Sequence, residues 1–330
     1  MPADLLAWSP FMVQVGVGTA SAQCLLASLF SVLPHPWSKQ PGFLAHQLVA
    51  LALVSYMAWV GCTQWGRMET ADTPEARVFG QHPVGSHLSQ LTVAQLICWD
   101  IPTGLLAPSM RVHGYGQMAA HHVAMLAMAY LGMSMLGHYG VYYLGVVELS
   151  SIPLQVVAVC CPSIGSPRRT PTPTPEPDPN PGRQVVDIFR PGHLNELTTL
   201  SPALNGLNEL ARVLFALLFI IVRALHFPYA VPPHTHTHSP SHPTPPPHSP
   251  RLPPAHLAST RYISFGSVLP DVFYLLGKPG LENGERLTLH AIWFCNLSLT
   301  LLQLYWASLI AQQLLKMLRG TPKAEKSRRD

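Results

Sequence analysis

Charge is what this sequence has least of. Only 11% of its 330 residues are Asp, Glu, Lys or Arg, against roughly 25% in an ordinary soluble domain. A water-soluble globule of this size needs more charge to cover its surface, so that class is excluded. The 48% hydrophobic share and a mean hydropathy of +0.22 persist despite 34 prolines and 17 histidines, so the apolar residues must be clustered. The net charge of +4 is small. Its basic residues are spread along loops, which excludes a nucleic-acid footprint.

Several chemical signatures are missing. The six cysteines (Cys24, Cys62, Cys98, Cys160, Cys161 and Cys295) include no CxxC pair and no metal-ligand spacing. They are expected to be buried apolar residues, without a disulfide framework. Cys160-Cys161, beside Arg168 and Arg169, is a candidate for palmitoylation. No GxSxG elbow of a serine hydrolase occurs. His82 and His87 form HxxxxH and His121-His122 is a double histidine, but the further boxes of a membrane di-iron desaturase are absent. Met1 to Trp8 carries Asp4 and neither Lys nor Arg, so no cleaved signal peptide is expected, and insertion falls to the first spanning helix.

What is present is a series of apolar windows about 20 residues long. Seven candidate spans lie near 11–33, 43–65, 88–107, 118–137, 140–161, 206–227 and 287–315. The reading is an all-α, polytopic membrane helix bundle of about seven transmembrane helices. Tyr262 to Gly277 is apolar but broken by Pro270 and Asp271, and reads as an interfacial or re-entrant segment. Residues 162–182 and 228–260 are Pro-rich, the second also carrying His234, His236 and His238, and such runs prefer extended polyproline II outside the bilayer. The His-Thr-His run lacks the frame a metal site needs. With seven spans and the N-terminus outside, thirteen of the twenty Lys and Arg residues fall inside, including six from Lys316 onward. That favours a cytosolic C-terminus.

Ionisable groups at membrane depth cost roughly 2.5–3.5 kcal/mol each and so need a reason. Here they are His46, Asp100, His121, His122, Glu148, Arg223 and His290. Glu148, Ser151 and Gln155 stand at i, i+3 and i+7, a polar stripe on one helix. Pro153 predicts a kink just beyond Glu148, with Ser150 or Ser151 satisfying freed carbonyls. Gly137-His138-Tyr139-Gly140 reads as the tight link between antiparallel helices. On that geometry His122 and Glu148 share one cavity without a direct bond, and Asp100 is a third inward-facing group. Histidine beside carboxylate in a dry cavity is how a general base or proton relay is built. The same groups could also simply pair to hold helices together.

The set of spaced features resembles the TLC domain, shared by translocating-chain-associating membrane proteins, longevity-assurance ceramide synthases and the neuronal ceroid lipofuscinosis transmembrane protein. The residues carrying it are Asp100 in Cys98-Trp99-Asp100-Ile101, His121-His122, Glu148-Leu149-Ser150-Ser151, Arg223 after Phe219-Ile220-Ile221-Val222, and Gln303-Leu304-Tyr305-Trp306. The chain looks most like the small TLC domain-containing proteins. The resemblance divides it into an N-terminal segment with the first helix (1–42), a TLC domain (43–319) interrupted by the Pro-rich loops, and a basic cytosolic tail (320–330).

The resemblance implies an endoplasmic reticulum or related endomembrane protein acting in membrane lipid homeostasis, with membrane lipids as its partners. It implies a lipid cavity involving Asp100, His121, His122 and Glu148, with Ser151, Gln155, Arg223, Tyr305 and Trp306, and neither metal nor cofactor. An alternative is an acyl-CoA-dependent N-acyltransferase like the ceramide synthases, with acyl-CoA as substrate and His122 as base. The chain lacks the Arg-x-Gly, the His-Asp pair and the second Asp of their longer signature. A second alternative is a translocon-associated protein.

Overall fold

The computed structural model describes residues 9–34, 38, 40–65, 67, 71, 73–106, 115–160, 202–225 and 268–318. The Pro-rich loops, the basic tail, Cys161 and most of the connections that bear on orientation lie outside them. Among the described residues every element is helical and none is a strand.

The elements are α1 (Pro10–Val32), α2 (Pro41–Trp65), α3 (Pro74–Phe79), α4 (Pro83–Gln95), α5 (Ile101–Leu106), α6 (Tyr115–Gly132), α7 (Gly137–Tyr143), α8 (Ser151–Cys160), α9 (Pro202–Leu218), α10 (Leu269–Leu276) and α11 (Asn283–Leu318). A π-helical turn, Leu96–Asp100, joins α4 to α5, and a second, Phe219–Leu225, extends α9. A 3-10 turn, Val146–Ser150, precedes α8.

Four of these helical stretches are long and apolar enough to cross a bilayer: Pro10–Val32, Pro41–Trp65, Gly137–Cys160 and Asn283–Gln312. The exterior carries large apolar side chains as the core does, and some polar side chains are buried within. Val17, Leu25, Val32, Trp59, Val123, Leu287 and Phe294 are exposed, while Gln23, Gln47, Thr92, Asn208, Arg212, Arg223, Asn296 and Gln303 are buried. Polar groups inside and large apolar groups outside is the pattern expected of a lipid-facing exterior.

Proline and capping residues mark where helices begin. Pro10 occupies the first turn of α1, where its missing N–H costs nothing. Ser9 caps that turn, accepting from Met12 N at 3.2 Å and donating to Gln90 Oε1 at 2.8 Å. Thr73 caps α3 in the same way, with Pro74 following. The residues that suggested a broken segment near 270 in fact start α10, with Pro270 in its first turn and Asp271 behind it.

The fifth apolar window also differs from the sequence expectation. The chain breaks at Leu144 and Gly145 rather than kinking at Pro153, and Glu148 sits in the 3-10 turn. Pro153 lies in the first turn of α8, where it breaks no hydrogen bond. Ser150 Oγ donates to Val147 O at 2.9 Å. The link between α6 and α7 is Met133 to Leu136, not Gly137 to Gly140, and Leu136 is held at φ 58°. Leu136 N donates to Val78 O at 2.7 Å, which fixes this strained residue to α3.

Glycine sets how closely elements approach. A Cβ on Gly61 of α2 would stand 2.4 Å from the Gly145 carbonyl carbon and the Val146 nitrogen, and one on Gly85 of α4 would meet Gly137 O at 1.9 Å. These are backbone-to-backbone contacts of the kind small residues allow in membrane bundles. The outcome is a ring in which α2, α8, α9 with its π turn, α11, α6 and α4 pack in succession around a central cavity. Helix α1 lies outside the ring, against α2, α4 and the first π turn.

At one end, α3, α7 and α10 are tied by a polar cluster. Arg77 Nε and Nη2 donate to Asp271 Oδ2 and Oδ1 at 2.6 and 2.7 Å, and the Tyr139 hydroxyl donates to the same carboxylate. The hydrogen bonds to Asp271 hold the Arg77 guanidinium above its ordinary proton affinity, although burial acts the other way. Lys278 pairs with Glu75 beside it.

The cysteines depart from expectation. Cys160 is buried and Cys295 half-buried, but Cys24, Cys62 and Cys98 are exposed on the apolar outer surface, where a small apolar side chain meets lipid as readily as core. Among the described residues no cysteine is in a disulfide.

Gly61→Ala should lower thermal stability in detergent by roughly 1–3 kcal/mol, the usual cost of overpacking. Gly18→Ala, where nothing lies within 4 Å, should hold or raise the unfolding midpoint.

Candidate functional site

The helix ladder is interrupted at Asp100 and at Arg223, two of the charged groups that line the cavity. Ile101 N bonds to Leu96 O, five residues back, which makes the π turn ending at Asp100. Pro102 follows and has no N–H to offer the carbonyl of Cys98, so the regular register is already lost there. The second π turn carries Arg223. Such turns recur at functional sites because the inserted residue redirects neighbouring side chains.

Asp100 is the centre of the first cluster. His46 Nε2 of α2 lies 3.1 Å from Asp100 Oδ1, and His122 Nδ1 of α6 lies 2.8 Å from Oδ2. Each carboxylate oxygen thus holds one imidazole. His46 stacks on Trp99, with ring centroids 4.5 Å apart. Its other nitrogen, Nδ1, is 3.3 Å from Gln23 Oε1, and the Trp99 indole N–H donates to the same oxygen. Both ring nitrogens of His46 thus face acceptor oxygens, Gln23 Oε1 and Asp100 Oδ1, and the two contacts together orient the ring.

Arg223 is the centre of the second cluster. Its Nε donates to Ser150 Oγ at 2.7 Å and its Nη2 to Ser151 Oγ at 2.8 Å, while Glu148 Oε1 stands 3.6 Å from Nη2. The guanidinium also lies over the Phe219 ring, 5.8 Å from its centroid. Tyr142 donates to Val222 O at 3.0 Å and pins the π turn to α7.

Between these clusters is a cavity of about 350 Å³, within the range of about 300–1,000 Å³ common for small-ligand sites. Its walls include Leu53, Val54, Met57, Leu154, Phe215 and Ile310, and both polar clusters open into it. His121 meets Trp306 edge-on at 5.4 Å, and among the described residues its buried Nδ1 finds no hydrogen-bond partner, nor does the buried Gln155 Oε1. An apolar sleeve with a few convergent polar groups suits a molecule with a long hydrocarbon part and a hydrogen-bonding head.

The structure brings together Asp100, His121, His122, Glu148, Ser151, Gln155, Arg223 and Trp306 around this cavity. Tyr305 does not join them: it is 39% exposed on the outer face of α11, one residue and thus about 100° from Trp306. His290 is also exposed. His122 pairs with Asp100, and Glu148 with Arg223. His82 and His87 lie elsewhere, His82 against His138 and His87 with Tyr56. Among the described residues no group of three or more His, Cys, Asp or Glu side chains is arranged to hold a metal ion. Two members escaped sequence reasoning as site residues, His46 and Gln23. Their signal was a polar side chain inside an apolar window.

Comparison with protein families, curated proteins and solved structures finds no match to this chain.

Asp100→Ala leaves two imidazoles without an acceptor and should cost on the order of 1–3 kcal/mol for each group stranded, seen as a lower unfolding midpoint in detergent. Tyr305→Ala should stay within about 0.5 kcal/mol of the parent.

Proposed function

We propose that the chain is a multi-pass membrane protein of the TLC type that takes a lipid chain into its central cavity and acts in membrane lipid homeostasis. The observation that carries the reading is the 350 Å³ cavity with Asp100, His122, Glu148 and Arg223 opening into an apolar sleeve. The TLC assignment rests on the order of those same residues along the sequence.

Seven crossings fit the helix lengths. Besides the four stretches above, Pro83–Leu106 and Pro202–Leu225 each run about 36 Å and α6 about 27 Å, at ~1.5 Å per residue, against a hydrocarbon core of about 30 Å. On α9, Leu207, Leu210, Val213, Leu214, Leu217 and Ile221 face outward while Asn208 and Arg212 are buried, as a helix bordered by lipid requires. An endoplasmic reticulum location and a cytosolic C-terminus complete the reading, the latter from the Lys and Arg asymmetry.

One observation favours a second reading, acyl transfer from acyl-CoA to an amine. His122 Nδ1 is held 2.8 Å from Asp100 in the cavity wall, the arrangement that orients an imidazole as general base. In that chemistry the amine nitrogen would bond to the thioester carbonyl as His122 took its proton, Asp100 would steady the imidazolium, and on C–S cleavage the proton would pass to the departing CoA thiolate.

Lipid analysis of cells expressing the protein, its His122→Ala variant or neither, fed labelled sphingoid base and fatty acid, separates the two. The homeostasis reading expects a shift in phospholipid acyl composition with wild type only, and no new labelled ceramide. Labelled ceramide dependent on His122 would establish the transferase instead. Unchanged phospholipid and ceramide would overturn both.

A further inference from the structure

A second, smaller cavity of about 30 Å³ is stacked beside the first along α11. Among the described residues, three buried polar atoms on its walls find no hydrogen-bond partner: Ser89 Oγ, Asn296 Oδ1 and Gln303 Oε1, the Asn296 amide also meeting the Tyr143 hydroxyl. Their residues are 0%, 1% and 3% exposed. Orphaned polar atoms are rare in folded proteins, so three on one small cavity call for a common cause. Asn296 and Gln303 are two turns apart on one face of α11. Ser89 comes from α4 and points at Gly132 of α6, where a Cβ would stand 2.4 Å from its hydroxyl. Gly132 has no side chain to offer that oxygen.

Two further polar groups line the cavity. Arg223 lines it as well as the lipid cavity. Tyr139 lines it too, and its hydroxyl belongs to the Asp271–Arg77 cluster. A cation is disfavoured beside the Arg223 guanidinium. Water is not: a water needs on the order of 10–15 Å³ and two to four polar partners, and both conditions are met.

We propose that this cavity is an internal water site, holding two water molecules that bridge Ser89, Asn296 and Gln303 and link Arg223 to the Tyr139–Asp271–Arg77 cluster. Their four hydrogens suffice for the three orphaned oxygens, and a water oxygen can accept from Arg223. The site gives the lipid cavity a wet side at membrane depth, reached from the α3–α10 end of the bundle. The inference does not depend on the identity of any lipid.

X-ray radiolytic labelling in ¹⁸O water tests it, with a scavenger quenching radicals formed in bulk solvent. Radicals made on a held water oxidise the nearest sulfur. Met128 lines this cavity, whereas Met12 is 5% exposed in a packed core and lines neither cavity. In the intact protein Met128 should take up ¹⁸O several-fold faster than Met12. Ser89→Ala should reduce the difference, and Asn296→Leu with Gln303→Leu should abolish it. Equal rates in the intact protein would overturn the proposal without any variant being needed. So would an undiminished Met128 rate in every variant that folds.

Discussion

Enclosing a carboxylate among apolar helices is the constraint around which this bundle is arranged. Asp100 cannot stay charged there without donors, and no single neighbouring helix supplies enough. The protein answers with one imidazole on each oxygen, His46 from α2 and His122 from α6, and brings in α1 through Gln23 to orient the first. Four helices are thereby fixed relative to one another around one side chain. The ring of α2, α4, α6, α8, α9 and α11 can then close without a central side chain to fill it, which leaves the cavity.

Arg223 poses the same problem with opposite sign and a looser solution. Two serine hydroxyls accept from it at hydrogen-bond distance, while Glu148 stands off at 3.6 Å. The site therefore has a tightly satisfied end and a less constrained one. Both charges sit on π turns, where the helix has already given up its regular ladder. The close backbone approaches at Gly61 and Gly85 then hold α2 and α4 near enough to the α7–α8 segment for these side chains to converge.

Much of this was legible in the sequence. The apolar windows fall on helices, four of them long and apolar enough to cross a bilayer, and the costly polar residues other than His290 line the cavity. Asp100, His121, His122, Glu148 and Arg223 stood out because each is costly in lipid. Their pairings did not, because Asp100 with His46 and Glu148 with Arg223 join positions far apart in the chain, and nothing local records which helices are neighbours. The π turns were hidden for a related reason: Pro102 announces a disturbance but not which residue it turns inward. Tyr305 and Trp306 show the limit from the other side. A motif four residues long cannot say which of two adjacent aromatics faces in, whereas a rotation of about 100° decides it.

The central claim is that the Asp100–Arg223 cavity holds a lipid chain. Its most direct test is mass spectrometry of lipid carried by the purified protein, set against a variant in which Ala50→Trp and Ala158→Phe fill the apolar sleeve those alanines line. The account expects one lipid per wild-type chain, resisting extensive detergent washing, and its loss from a filled variant that remains folded. A wild-type protein that washes free of lipid, or a filled variant that retains as much, would contradict it.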